Sequence, residues 1–242
     1  MTDPLRATAM LAQALINRTS LRPPATPAAW PLPAVRSTTQ PSVDSSIELM
    51  GAAMPFARNA EIYGENEPAE YLYKVVSGAV RTYKVLSDGR RQIGAFYQPG
   101  DFFGLEIGDV HMFSAEAICE CKVMVIKRCA LISLAARNAD VARQLWTMTA
   151  GELSRAQAHI MLLIKTAQER VAGFLLDMAA RSPSGGAVDL PMSRQDIADY
   201  LGLTIETVSR TLTQLENQAT IAVPSSRHIV LRNRAALKRL NS

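Results

Sequence analysis

The chain has 242 residues, 48% of them hydrophobic and 20% charged, which leaves room for two domains with real cores. Its formal net charge of +4 permits nucleic-acid binding without requiring it. Three cysteines, Cys119, Cys121 and Cys129, argue against a disulfide framework and for a reducing cytoplasm, and no apolar run approaches the roughly 18 residues of a membrane span.

Residues 1–46 read as a Pro-rich N-terminal extension. Ala7 to Ile16 has the composition for a helical turn or two. Pro23, Pro24, Pro27, Pro31, Pro33 and Pro41 then forbid regular structure, and Trp30 is placed to pack back onto the body. The segment carries arginines but lacks the apolar core of a signal peptide.

Residues 47–129 change character. Two strands are expected on either side of Ser77-Gly78, a hairpin turn at Asp88-Gly89, a return strand in Arg91 to Gln98 and another turn at Pro99-Gly100-Asp101. Further strands follow in Ser114 to Arg128. Many short strands at this turn spacing predict a sandwich or jelly roll. Cys119 and Cys121 are two apart on an expected strand, so they are placed on one buried side with Val123 and Val125. Cys129 follows two cations and is the better candidate for redox chemistry.

From Ala130 the pattern turns helical, and residues 130–166 read as a dimerisation region. Thr149, Leu153, Ala156, Ile160, Leu163 and Ala167 recur at alternating spacings of four and three, a heptad seam on one long helix reaching about Lys165. Ser182 to Ala187 reads as a flexible loop inside a C-terminal domain over 167–242.

That domain has the layout of a helix-turn-helix. Ser193 with Asp196 forms a capping box with Asp in the Glu/Gln place. Ile197, Ala198 and Leu201 give the first helix its apolar face, Gly202 breaks it and Leu203 drops into the turn. Thr204 caps a second helix from about Ile205 to Asn217, whose buried face is Val208, Leu212 and Leu215. Glu206, Thr207, Ser209, Arg210 and Thr213 face outward. A guanidinium bonds guanine O6 and N7 bidentately, and a carboxylate accepts from a cytosine amino group. Arg210 and Glu206, four apart on one face, suit neighbouring base pairs. The bland alternative is a solvated ion pair between them. The DNA-contacting set is assigned to Ser193, Arg194, Thr204, Ile205, Glu206, Thr207, Ser209 and Arg210. Two strands, Ile221 to Val223 and His228 to Leu231, form a wing, where Arg227 and His228 are candidates for phosphate contact. A short helix, Arg234 to Leu240, ends the chain. No acidic side chain follows Glu216, while five cations do.

The stretch Ile205-Glu206-Thr207-Val208-Ser209-Arg210 resembles the recognition helix of the Crp/Fnr transcription regulators. Its Glu206, Ser209 and Arg210 match the E-x-x-S-R of the Fnr and FixK branches. Pro99-Gly100-Asp101 and Phe103 to Glu106 resemble that family's sensory domain, so the similarity runs from about residue 47 to the end. The resemblance implies an α+β fold: an N-terminal β-roll like that of cyclic-nucleotide-binding domains, a long dimerisation helix and a C-terminal winged helix-turn-helix. It also implies a cytoplasmic homodimer that binds a promoter palindrome with TTG-type half-sites, recruits RNA polymerase and activates low-oxygen genes, as rhizobial FixK regulators do. Arg210 would then read the guanine, Glu206 its surroundings on the other strand and Ser209 a thymine.

The β-roll departs from the nucleotide-binding branch. That branch holds the cyclic phosphate with an arginine, but here the region reads His111-Met112-Phe113-Ser114-Ala115 and holds no cation between Arg91 and Lys122. Gly104 and Glu106 remain, the Glu offset. An Fnr-type iron–sulfur cluster needs cysteines ahead of the β-roll, and none precedes Cys119; His111 alone is a weak haem ligand. No cofactor is therefore expected. The alternative is an effector- or redox-gated regulator with an apolar pocket at Met112 and Phe113. An enzyme is disfavoured: the chain shows no Gly-rich phosphate loop and no nucleophile motif, and His111, His159 and His228 lie on different elements.

Overall fold

The computed structural model describes residues 50–106, 108–181 and 186–241. The readings made for the N-terminal extension, and for Ser182 to Gly185 of the loop, lie outside the described residues.

Eight strands build the β-roll: β1 (Ala52–Phe56), β2 (Glu61–Tyr63), β3 (Tyr71–Ser77), β4 (Val80–Val85), β5 (Arg91–Tyr97), β6 (Phe102–Phe103), β7 (Ser114–Ala117) and β8 (Cys121–Lys127). They pair as two four-stranded antiparallel sheets, β1-β8-β3-β6 and β2-β7-β4-β5. Alternation sets the inner faces. On β3 and β8, Tyr73 faces Val125 and Val75 faces Val123; on β4, Thr82 faces Ala115 of β7 and Ala95 of β5. Val75, Val80, Tyr97, Phe103, Ala115, Cys121 and Val123 fill the space between the sheets. The expected hairpins are present. Ser77-Gly78 turns β3 into β4, and Gly89 (φ 82°) closes β4 to β5 by donating to the Leu86 carbonyl.

Two helices follow. The short α1 (Arg128–Ala135) packs Leu131 against Leu72, Phe102 and Ile126 on the back of one sheet. Asn138 then starts α2 (Ala139–Leu163), its side chain accepting from the Asp140 and Val141 amides. At 25 residues, α2 is about 37 Å long. Val141 is its one fully buried residue, so nearly the whole rod borders solvent.

The C-terminal region holds α3 (Ala167–Arg181), β9 (Ala187–Asp189), α4 (Arg194–Leu201), α5 (Ile205–Asn217), β10 (Ile221–Ser225), β11 (His228–Leu231) and α6 (Arg234–Leu240). Its core is Val171, Phe174, Leu175, Met178, Ile197, Leu201, Val208, Leu212 and Leu215. The same cluster continues into Ile93, Phe96 and Ile118 of the β-roll. Among the described residues, no helix is long and apolar enough to cross a membrane.

Three local expectations need correction. The long helix stops at Leu163, so Ala167 is not part of the seam; it opens α3. The cause is a capping box at the break: the Thr166 amide donates to Glu169 at 2.7 Å, which favours a new helix start over continuation. Ala187 belongs to β9, a third wing strand that pairs Val188 with Ile229, giving the order β10-β11-β9. Cys119 and Cys121 do not share a side. Cys119 sits in the turn before β8 and packs with the cluster shared with the C-terminal region, whereas Cys121 lies inside the β-roll.

Gly78 has a left-handed backbone (φ 81°), and a Cβ there would stand 2.5 Å from the Cys121 Cβ and the Glu120 carbonyl oxygen. Gly78→Ala is therefore expected to destabilise the chain by about 2–4 kcal/mol, combining the left-handed penalty with overpacking. Urea unfolding monitored by circular dichroism checks it; a midpoint unchanged from the parent chain contradicts it.

Candidate nucleic-acid interface

The interface is built on α4 and α5. Ser193 caps α4: its hydroxyl accepts from the Asp196 amide at 3.1 Å and donates to Asp196 Oδ2 at 2.8 Å, while its own amide donates to the same oxygen at 2.9 Å. The helix ends at Gly202 (φ 61°, ψ 41°), whose amide donates to the Ala198 carbonyl. Only a residue at ease in the left-handed region makes so tight a corner. Leu203 follows it into the core, as expected. Thr204 caps α5, its hydroxyl oxygen accepting from the Thr207 amide at 3.3 Å.

Packing decides which face of α5 is free. Val208, Thr211, Leu212 and Leu215 are buried. Glu206, Arg210 and Thr213 are exposed, Ile205 is 37% exposed, and Thr207 and Ser209 are half-buried beside them. The structure thus brings Thr204, Ile205, Glu206, Thr207, Ser209 and Arg210 together on one surface. Ser193 is exposed at the start of α4. Arg194 is half-buried there, and its Nε has no hydrogen-bond partner.

Glu206 and Arg210 do not form the direct ion pair weighed from the sequence. Glu206 accepts from its own amide and the Thr204 hydroxyl, which hold its carboxyl below the ordinary glutamate range; the nearby Arg210 charge adds a smaller push. The Arg210 side chain is exposed on the same face. The wing stands beside this face. Arg227 is exposed between β10 and β11, whereas His228 is engaged: its Nδ1 lies 2.6 Å from Asp189 Oδ1 of β9.

The seam residues of α2 form a second surface. Thr149, Leu153, Ala156 and Ile160 are exposed along one stripe, with Leu163 half-buried at its end. Trp146, three residues before Thr149 and 76% exposed, extends the stripe by one position. The same heptad spacing includes it, one step ahead of Thr149.

The β-roll holds a cavity of about 510 Å³ against α2, with Met112 and Phe113 on its wall. A Cβ on Gly94 would stand 3.2 Å from the Phe113 ring, so the aromatic packs closely against β5 at that glycine. His111 is fully buried and stacks on Tyr63 with ring centroids 3.6 Å apart. Glu106 Oε2 lies 3.4 Å from His111 Nδ1 without forming a hydrogen bond, and neither that oxygen nor the Tyr63 hydroxyl has another partner. Burial raises the Tyr63 phenol far above its usual range, so it stays protonated. Burial also pushes the Cys121 thiol up to about 11, which keeps it an inert thiol. Cys129 is exposed in the first turn of α1.

Comparison with known proteins matches this architecture twice. Residues 53–138 match the cyclic nucleotide-binding domain family, and residues 169–240 match the Crp-like helix-turn-helix domain family. The nitrogen fixation regulation protein FixK of Azorhizobium caulinodans is 54% identical over 202 residues, covering 81% of this chain and 82% of that protein. FixK of Rhizobium meliloti is 43% identical, covering 74% of this chain and 82% of its own. The solved structure of FixK2 from Bradyrhizobium japonicum is 55% identical with a TM-score of 0.76, covering 79% of this chain and 98% of that one. The chain therefore belongs to the Crp/Fnr family of transcription regulators and is of the FixK type within it.

Proposed function

We propose that the chain is a cytoplasmic homodimeric activator that binds promoter palindromes with TTG-type half-sites, needs no bound cofactor and controls low-oxygen genes together with RNA polymerase. The observation that carries this reading is the free face of α5, where Arg210 stands exposed and unpaired above a buried row of Val208, Leu212 and Leu215. A helix presented this way enters the major groove with its first turns against base edges. Two-fold targets call for two copies, and the exposed stripe from Trp146 to Ile160 supports a matching helix from a second subunit. The Phe113 ring over Gly94, and the lack of any cation between Arg91 and Lys122, support operation without a cyclic nucleotide. No catalytic role is proposed.

One observation favours a second reading, gating by a small effector. The unpartnered Tyr63 hydroxyl and Glu106 oxygen beside the apolar wall of the cavity suit a small uncharged molecule with a polar end.

The deciding assay is binding of the purified chain, with nothing added, to a duplex bearing inverted TTGAT half-sites and to a scrambled duplex at the same salt. Selective binding is the expected result; equal binding to both would favour the effector-gated reading or a different half-site. In that assay Arg210→Ala is expected to lose about 1–3 kcal/mol of discrimination at the guanine. Equal loss on both duplexes would make Arg210 a phosphate contact. Ile160→Asp places a charge in the seam and is expected to weaken the dimer by about a hundredfold or more. Light scattering that still finds a dimer at micromolar concentration would move the interface elsewhere.

A further inference from the structure

The helix-turn-helix is held to the β-roll by charges that the sequence reading did not connect. Arg81 on β4 is 8% exposed and Asp196 on α4 is 2% exposed. Arg81 Nη1 donates to Asp196 Oδ1 at 3.0 Å, and Arg81 Nη2 donates to Glu116 of β7 at 2.8 Å. Arg91 on β5 donates to the same Asp196 oxygen at 2.6 Å and, through Nε, to Asp199 Oδ2 at 2.9 Å. The other oxygen of Asp196 closes the capping box with Ser193. One carboxylate thus starts α4 and ties it to two strands of the β-roll.

The far end of α4 is held as well. Gln92 of β5 donates to the Tyr200 carbonyl at 3.3 Å. A His159 ring nitrogen from α2 lies 2.8 Å from that carbonyl, and its ring stacks on the Tyr200 ring at 4.0 Å and 7°. Facing a carbonyl, the ring nitrogen must be the donor. The last carbonyls of a helix have no partner within it, so these bonds satisfy groups the helix leaves open.

We infer that Arg81 and Arg91 are positioning residues for DNA reading: paired with Asp196 and Asp199, they fix α4, and through it the recognition helix α5, at one angle to the β-roll without any ligand. The mechanical link is short. Gly202 and Leu203 join α4 to α5, and Val208 and Leu212 pack into the core that Ile197 and Leu201 share. A rotation of α4 therefore carries α5 with it. In a dimer on a palindrome both recognition helices must meet successive major grooves about 34 Å apart, so such a rotation removes operator binding and spares weak contact with random DNA. The inference rests on the DNA-binding reading above.

The test is a charge swap in the full chain. R91D sets a carboxylate against Asp196 and Asp199; R91D combined with D199R restores an opposite pair in reversed sense. Each is assayed on the inverted TTGAT duplex and the scrambled duplex, and by amide exchange over residues 194–217 without DNA. R91D is expected to lower operator affinity about tenfold or more, leave scrambled-duplex affinity within about twofold and speed exchange in α4. The double variant is expected to recover operator affinity to within about threefold of the parent chain. Unchanged operator affinity in R91D would overturn the inference, as would a folded, dimeric double variant that fails to recover. Equal loss on both duplexes would overturn it too, making Arg91 a phosphate contact. Should R91D not give a folded dimer, D199N carries the same comparison. A parent chain that does not select the operator refutes the DNA reading alone, because exchange in α4 still reports the clasp.

Discussion

The core of the C-terminal region runs on into the β-roll without a break. Phe96 of β5 reaches across to Phe174 of α3 and Tyr200 of α4, with ring centroids 6.2 and 5.2 Å away, and Ile93 and Ile118 complete the same cluster. Burial of apolar area supplies the attraction but is non-directional, so it does not by itself select one angle between the packed parts. The Arg81, Arg91, Asp196 and Asp199 groups around its edge add direction. Buried ion pairs give little net stability, because desolvation offsets most of their attraction, yet removing one partner costs about 3–5 kcal/mol. Against the 5–15 kcal/mol total of an ordinary domain, such a term penalises misalignment more than it strengthens the fold.

The second constraint is α2. Helices in proteins gain stability mainly by burying an apolar face, and α2 buries only Val141 fully while leaving Trp146, Leu153, Ile160 and Met161 exposed. Its inward contacts combine an apolar start, where Val141, Leu145 and Met148 pack with Leu72 and Ile126, with polar ties further along. Tyr97 donates to Glu152 at 2.9 Å, and Arg155 reaches Asp101 at 3.2 Å. Asp101 also pairs with Arg181 of α3, so one turn of the β-roll anchors both helices. The seam residues Thr149, Leu153, Ala156 and Ile160 remain exposed while also bordering the cavity against the β-roll.

The sequence made some of these features legible and hid others for physical reasons. α5 was readable because 13 residues carry a cap, an apolar row and a polar face in phase. Gly78, Gly89 and Gly202 were readable because turns at positive φ select glycine. The break at Thr166 was written as Thr-x-x-Glu, but the heptad rhythm ran through it and masked it. β9 was invisible: three residues with a single inward side chain show no alternation. Cys119 was misplaced because the turn ahead of β8 reverses which way the chain faces. The tie between Arg81 and Asp196 spans 115 positions, and a charge on a strand reads in sequence as a solvated one. Only the packing of α4 on β5 turns these charges inward.

The placement of cations in the β-roll follows from the same geometry. The cavity wall facing α2 carries Phe113, Met112 and a neutral phenol, whereas the strand faces turned toward α4 carry Arg81 and Arg91. Gly94 lies between these two surfaces on β5: its missing side chain admits the Phe113 ring, and Gln92 and Ile93 beside it reach the C-terminal region. The two arginines bond the C-terminal region directly. Arg81 and Arg91 stand apart from the residues that line the cavity, so the bonds that hold α4 and the walls of the cavity are built from separate side chains of the β-roll.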